Sequence, residues 1–190
     1  MAASAGQVRL GPDNGHLILR TGRQGVASKV GHDLTIEVTD WSAQLDLPAD
    51  TPADATVTAQ INLESLQVRE GTGGVKPLTD KDRGEIHGNA RRILAVDRHP
   101  HATFQSSQVT PIASGATVTG TLTLHGASAP IELHVREVTP HRYHGTAVVV
   151  QSAYGIKPYT AFLGALKLRD EVEVEVDIDL SGAERPTRPS

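Results

Sequence analysis

At 190 residues, the chain has the length of one domain with a substantial core. A net charge of −4, with no basic run interleaved with aromatics, gives no surface for nucleic acid. The absence of cysteine excludes disulfides, thiolate metal sites and cysteine nucleophiles. The N-terminus shows no basic stretch leading into an apolar one, and no run approaches the ~18 apolar residues of a membrane span. The chain is therefore expected in the cytoplasm, without a membrane span.

Residues 1–15 read as an N-terminal extension. Strand candidates follow at 16–21, 32–39, 42–47 and 55–66, separated by Gly and Pro. The stretch Glu70–Pro77 is rich in glycine and reads as a loop. A helix is expected after it, because Thr79 can cap a helix start with Asp82 three residues on. Ile86, Ala90, Ile93 and Leu94 then share one helical face. Gly84 and Gly88 each cost about 1 kcal/mol relative to Ala, so packing must hold this helix in place. Further strands are expected at 101–109, 116–125, 130–138 and 143–151, with the link His125–Pro130 forming a hairpin. Thr160–Leu166 suggests a short second helix. The last strand, 167–180, ends in the regular alternation Val172–Leu180. Its acidic residues Glu173, Glu175, Asp177 and Asp179 would repel one another in a dry interior, so they must face solvent. Residues 181–190 are polar and Pro-rich and read as a disordered tail.

A period of two gives each strand one apolar and one wet face. With few helices to cover a sheet, such strands bury their apolar faces against one another. Nine segments fit an all-β antiparallel barrel of about eight strands, one of them bent or split, with a helical insertion near one end. A barrel of that size holds one small ligand. Only six aromatics are present, so a cavity lined by Val, Leu, Ile and Ala suits aliphatic cargo.

Five stretches, in order, resemble the YceI-like family, whose members include polyisoprenoid-binding proteins. They are Ala27–Leu34 with its histidine at His32; Ala59–Leu66 with Ile61 and Ser65; and Asp82-Arg83 followed by Ile93–Ser107, which carries Pro100, Phe104 and Ser106. The fourth is the hairpin Val118–Leu133 with Gly120, Leu122, Thr123 and Gly126, and the last is Tyr154-Gly155-Ile156. The resemblance spans about residues 16–180. It implies a lipocalin-like antiparallel barrel with an apolar tunnel for a long isoprenoid or fatty chain.

On this reading the wall residues are those in apolar phase: Val57, Ala59, Ile61, Phe104, Val118, Leu122, Ile131, Leu133, Val148, Val150, Val174 and Val176. Tyr154, Tyr159 and Phe162 lie near one Gly/Pro-punctuated turn and suit an adaptable rim. Among the nine histidines, His32 falls in register with Leu34, Ile36 and Val38 and is expected to look inward. It is either a buried imidazole satisfied by a backbone or hydroxyl partner, or a polar anchor for a ligand head group, or a general base. The group Asp97, His99 and His101 is the tightest metal candidate. Phase turns His101 outward, as it does His125 and His134, so no metal site and no cofactor is expected. No nucleophile elbow or phosphate-binding glycine loop occurs. The expected partner is an apolar small molecule, and whether two copies of the chain associate stays open. The alternative is an enzyme, a cyclase or isomerase, that uses the barrel as a reaction chamber with His32 and Tyr154 or Tyr159 as its polar groups.

Overall fold

Alternation of apolar and polar side chains accounts for most of the backbone in the computed structural model, which describes residues 6–48 and 51–182. In chain order the strands are β1 (Gly6–Leu10), β2 (Gly15–Thr21), β3 (Arg23–Gln24), β4 (Asp33–Val38), β5 (Trp41–Leu47), β6 (Thr56–Asn62) and β7 (Leu66–Thr72). After helix α1 (Asp80–Ile93) come β8 (His101–Ile112), β9 (Gly115–Leu124), β10 (Ala127–Thr139), β11 (Arg142–Val150), β12 (Thr160–Ala161), β13 (Leu166–Leu168) and β14 (Glu171–Asp179). Eleven strands form one sheet in the order β1-β5-β6-β8-β9-β10-β11-β14-β2-β4-β7, while β12, β13 and β3 form a small second one. Every pairing in both is antiparallel. All eleven strands of the large sheet contribute side chains to a single cavity. A flat sheet cannot do this, so the sheet curls into a half-barrel.

The architecture is all-β and barrel-like as the alternation implies, but the strand count is higher, for three local reasons. Residues 6–10, set apart in the sequence as an extension, pair with β5 from Gly6↔Leu47 to Leu10↔Ala43. The segment 55–66 ends at Asn62, passes through a 3-10 turn at Leu63–Ser65 and continues as β7 to Thr72, into the stretch read as loop. The segment 167–180 breaks at Arg169-Asp170, so that β13 and β14 belong to different sheets. In place of the expected helix, Thr160–Leu166 holds only a three-residue 3-10 turn, Phe162–Gly164. It is a hairpin, β12 to β13, whose tip holds Phe162, Leu163 and Gly164 at φ of 50°, 55° and 88°. The β9–β10 turn is also tighter than the link His125–Pro130 suggests. Leu124 pairs with Ala127, and only His125 and Gly126, both at positive φ, lie between them. Most of the tail expected to be disordered, residues 183–190, lies outside the described residues.

No ladder joins the end strands β1 and β7 among the described residues. Two connections cross at one end of this seam. Asp40, between β4 and β5, donates its N–H to the Ser65 hydroxyl (3.0 Å) and accepts from the Asn62 side-chain amide (2.8 Å). Helix α1 packs against β7, and its apolar face closes in from the inside. Ile86, Ala90 and Leu94 join the cluster that contains Leu10 of β1, Trp41 of β5 and Leu66 of β7. The helix begins with the expected box. Asp82 N–H donates to Thr79 Oγ1 (3.2 Å), and Thr79 N–H donates to Asp82 Oδ2 (2.8 Å). A second cluster packs Val96, Ala102, Leu124, Tyr154 and Ile156, and a third packs Ala55, Val109 and Val118. The acidic residues of β14 lie on the outer face, where Glu175 pairs with Arg20, Asp177 with His144 and Asp179 with Arg142.

Candidate functional site

Because paired residues in a ladder point to the same side of a sheet, the register fixes what lines the half-barrel. The cavity measures about 760 Å³. Its wall includes Leu17 and Leu19 of β2, Leu34, Ile36 and Val38 of β4, and Val57, Ala59 and Ile61 of β6. Phe104, Leu122, Ile131, Leu133, Ala147, Val149, Val174 and Val176 continue it around the sheet. Ile86, Ala90, Ile93 and Leu94 of α1 complete the lining.

Polar side chains reach the cavity chiefly where the loops 22–32, 73–78 and 155–168 meet the start of α1. Arg23, His32, Lys76, Asp82 and Tyr159 line it there. The His32 Nε2–H donates to the Lys76 carbonyl (2.7 Å), which fixes that nitrogen as the protonated one. The ring packs closely on Gly74: a Cβ there would lie 2.1 Å from Nε2, so a larger residue would displace the imidazole. Arg23 is committed to its surroundings: it contacts Asp33 (3.6 Å) and donates to the Gly31 carbonyl. Gln151 is a buried polar residue of the lining, and its amide donates to the Arg169 carbonyl (3.0 Å). This end can therefore meet a polar head group, whereas the remaining depth offers almost only dispersion contacts.

Of the residues singled out in the sequence, His32, Val57, Ala59, Ile61, Phe104, Leu122, Ile131, Leu133, Tyr159, Val174 and Val176 line this cavity. Five do not. Val148 and Val150 point outward and are exposed. Val148-Val149-Val150 is an unbroken apolar run, so period two alone cannot set its phase. Pairing Ala147↔Val174 and Val149↔Val172 sets it, and puts Ala147 and Val149 inside. Val118 packs with Ala55 and Val109 away from the cavity. Tyr154 is core, among Leu63, Val96 and Ile156, and burial pushes its phenol pKa up. Phe162 stands in solvent. His125, expected on an outward face, is half-buried in the tight turn and donates from Nδ1 to the Tyr154 carbonyl (3.1 Å).

Leu34, Ile36 and Val38 were legible, since they set the register of His32. The contributions of α1 and of the loop 75–78 were not, because helical and loop positions carry no phase relative to a barrel. Of the polar groups named for the enzyme alternative, His32 and Tyr159 reach the cavity and Tyr154 does not. Among the described residues, no three His, Asp or Glu gather as metal ligands. Asp97 instead pairs with Arg91 (2.6 Å), and the His99 ring leans on His125.

A family model described as YceI-like domain matches residues 19–180. The UPF0312 protein YE1254 of Yersinia enterocolitica is 30% identical over 94 residues, which is 50% of this chain and 43% of that protein. The chain thus aligns with under half the length of that relative. Burkholderia cenocepacia BcnA superposes with a TM-score of 0.58 at 18% identity, over 86% of this chain and 94% of BcnA. The Campylobacter jejuni YCEI protein gives a TM-score of 0.53 at 15% identity, over 79% of this chain and 84% of that one. At such identities the two structures speak for the fold alone. No helix among the described residues is long and apolar enough to cross a membrane.

Proposed function

The chain belongs to the YceI-like family, and from that premise we propose that it carries one long apolar molecule, an isoprenoid or a fatty chain, inside the half-barrel. One observation supports this above the others. A cavity of about 760 Å³ has an aliphatic wall and gathers its charged side chains at one end, within the roughly 300–1,000 Å³ typical of small-molecule sites. Each buried CH₂ contributes about 0.8 kcal/mol, so binding grows with chain length until the cavity is filled. An aliphatic wall selects for flexible hydrocarbon, because few rings, those of His32, Trp41, Phe104 and Tyr159, face the cavity. The head group would remain at the end near His32, Lys76 and Tyr159.

Mass spectrometry of organic extracts from freshly purified protein, followed by uptake of a fluorescent acyl chain into delipidated protein, tests the reading. Isoprenoid or acyl species in the extract and stoichiometric uptake are expected. An extract free of both, with no uptake after delipidation, would end it.

A further inference from the structure

The loops around the charged end of the cavity touch one another. Ala27 N–H donates to the Ala165 carbonyl (2.9 Å), and Arg23 pairs with Leu168 in the small sheet. His32 bonds the Lys76 carbonyl, and a Cβ at Gly31 would meet the Leu166 side chain. On this shared platform five apolar side chains are uncovered. Val26 is 95% exposed, Val75 73%, Phe162 66% and Val30 49%, while Leu163 is fully open to solvent. Val30 and Val75 also line the cavity, so the apolar surface runs from outside into it. The other large exposed apolar residues, Ile112, Val138, Val148 and Val150, lie on the long strands β8, β10 and β11 rather than on these loops. Phe162 and Leu163 are held at positive φ, where bulky residues rarely sit. An exposed apolar group kept in an unfavourable backbone conformation marks an interaction surface.

Charge identifies the class of surface. The loops 22–32, 73–78 and 155–168 carry Arg23, Lys29, Lys76, Lys157 and Lys167 and no acidic residue, in a chain of net charge −4. The four lysines form no ion pair among the described residues. The neighbouring acids are engaged: Asp33 with Arg23, Asp80 with Arg83, Asp82 in the helix cap, Glu85 with Lys81 (3.9 Å) and Asp170 with Ser152. An apolar tip flanked by free ammonium groups matches hydrocarbon lying beneath a layer of negative charge.

We propose that this rim docks on an anionic phospholipid bilayer. Val26, Phe162 and Leu163 enter the boundary between head groups and acyl chains, and Lys29, Lys157 and Lys167 lie against the phosphates. The mouth then opens onto the phase from which an apolar cargo comes. That last step rests on the cavity reading above, whereas docking itself does not.

Co-sedimentation of the full chain with vesicles of phosphatidylcholine alone, or mixed with phosphatidylglycerol, tests the proposal. Two double variants serve: Phe162→Ser with Leu163→Ser, and Lys29→Glu with Lys167→Glu. All four side chains lie outside the cavity lining, so melting temperature and acyl-chain uptake from solution should match wild type. Wild type should prefer the mixed vesicles and lose them at high salt. The apolar variant should bind at least tenfold more weakly, and the charge variant at least about 20-fold, since each lysine is worth about fivefold. Equal binding to neutral and mixed vesicles, or undiminished binding by both variants, would overturn the proposal. So would a wild-type dimer in gel filtration that the apolar variant dissociates while vesicles capture neither, because a second copy would then be what covers the rim. Vesicle binding without acyl-chain uptake would remove the cavity reading and leave docking intact. Uptake without vesicle binding would do the reverse.

Discussion

Tyr154 and Phe162 stand eight residues apart and look in the sequence like two members of one aromatic group, yet the first is 3% exposed and the second 66%. Between them Gly155 turns the chain at φ 69°, and the two rings enter different environments. Tyr154 is enclosed by Leu63, Val96, Ala102 and Ile156, and its carbonyl accepts from His125. Phe162 sits on the tip of a hairpin with nothing over it. The packed core and the rim are thus built from the same apolar residue types under opposite rules. In the core an apolar side chain is covered by its packed neighbours, as Tyr154 is by Leu63, Val96 and Ile156. At the rim it is left uncovered, and at Phe162 and Leu163 the backbone also lies at positive φ.

The widest test of that contrast is a pair of alanine substitutions. Tyr154→Ala should cost about 3–5 kcal/mol in urea unfolding, as other large-to-small changes of buried aromatics do. Phe162→Ala should stay within about 0.5 kcal/mol. Comparable losses at both positions would erase the distinction between core and rim. Next in size is Ala59→Phe, which places a ring in the cavity beside Phe104, its ladder partner. Acyl-chain affinity should fall at least about tenfold, or 1.4 kcal/mol, with little change in stability because the ring enters open volume. Unchanged affinity would show that cargo binds elsewhere.

Thr79→Ala, which removes the cap at the end of α1 nearest the rim, should cost about 1 kcal/mol. A much larger loss would mean that this helix end also holds the rim together. The smallest effect concerns acid. Hydrogen bonds from His16 (3.0 Å) and Arg69 (2.6 Å) hold the Glu37 carboxyl below its usual value of about 4.3. A folded-state pKa lowered in this way contributes stability that is present above pH of about 4.3 and is lost as pH falls through the folded value. The melting temperature of wild type should exceed that of Glu37→Gln at pH 6 and converge with it below pH of about 4. The difference is expected to be small, since surface pairs contribute under about 1 kcal/mol. A gap that persists in strong acid would assign it to packing.

How much could be read from residues alone follows the same division. Where alternation is unbroken, as in Val172–Leu180, the inward set Val174 and Val176 and the outward acids are legible from period two. Where three valines run together at 148–150, the phase comes only from the partner strand, which the sequence does not identify. The helix announced itself through Thr79, Asp82 and the spacing Ile86, Ala90, Leu94. Its place inside the sheet did not, because helical periodicity reveals an apolar face but not what it faces. Phe162 was read as rim, but that it and Leu163 stand bare was the least legible feature. Nothing in their types distinguishes a residue awaiting cover from one kept bare, and the positive φ that separates them is a property of the folded turn.

The unpaired seam between β1 and β7 has a consequence for girth. In a hoop closed all round by hydrogen bonds, strand number and shear set the diameter, and no stave can be eased without breaking a ladder. Here Ile86, Ala90 and Leu94 of α1 pack into the cluster that also holds Leu10, Trp41 and Leu66. Such contacts slide, and widening the gap breaks no backbone bond between strands. The sheet is therefore a clasp with a hydrogen-bonded band and a packed pin: anything that pushed on α1 would strain side-chain contacts before it strained any of the ten ladders of the sheet.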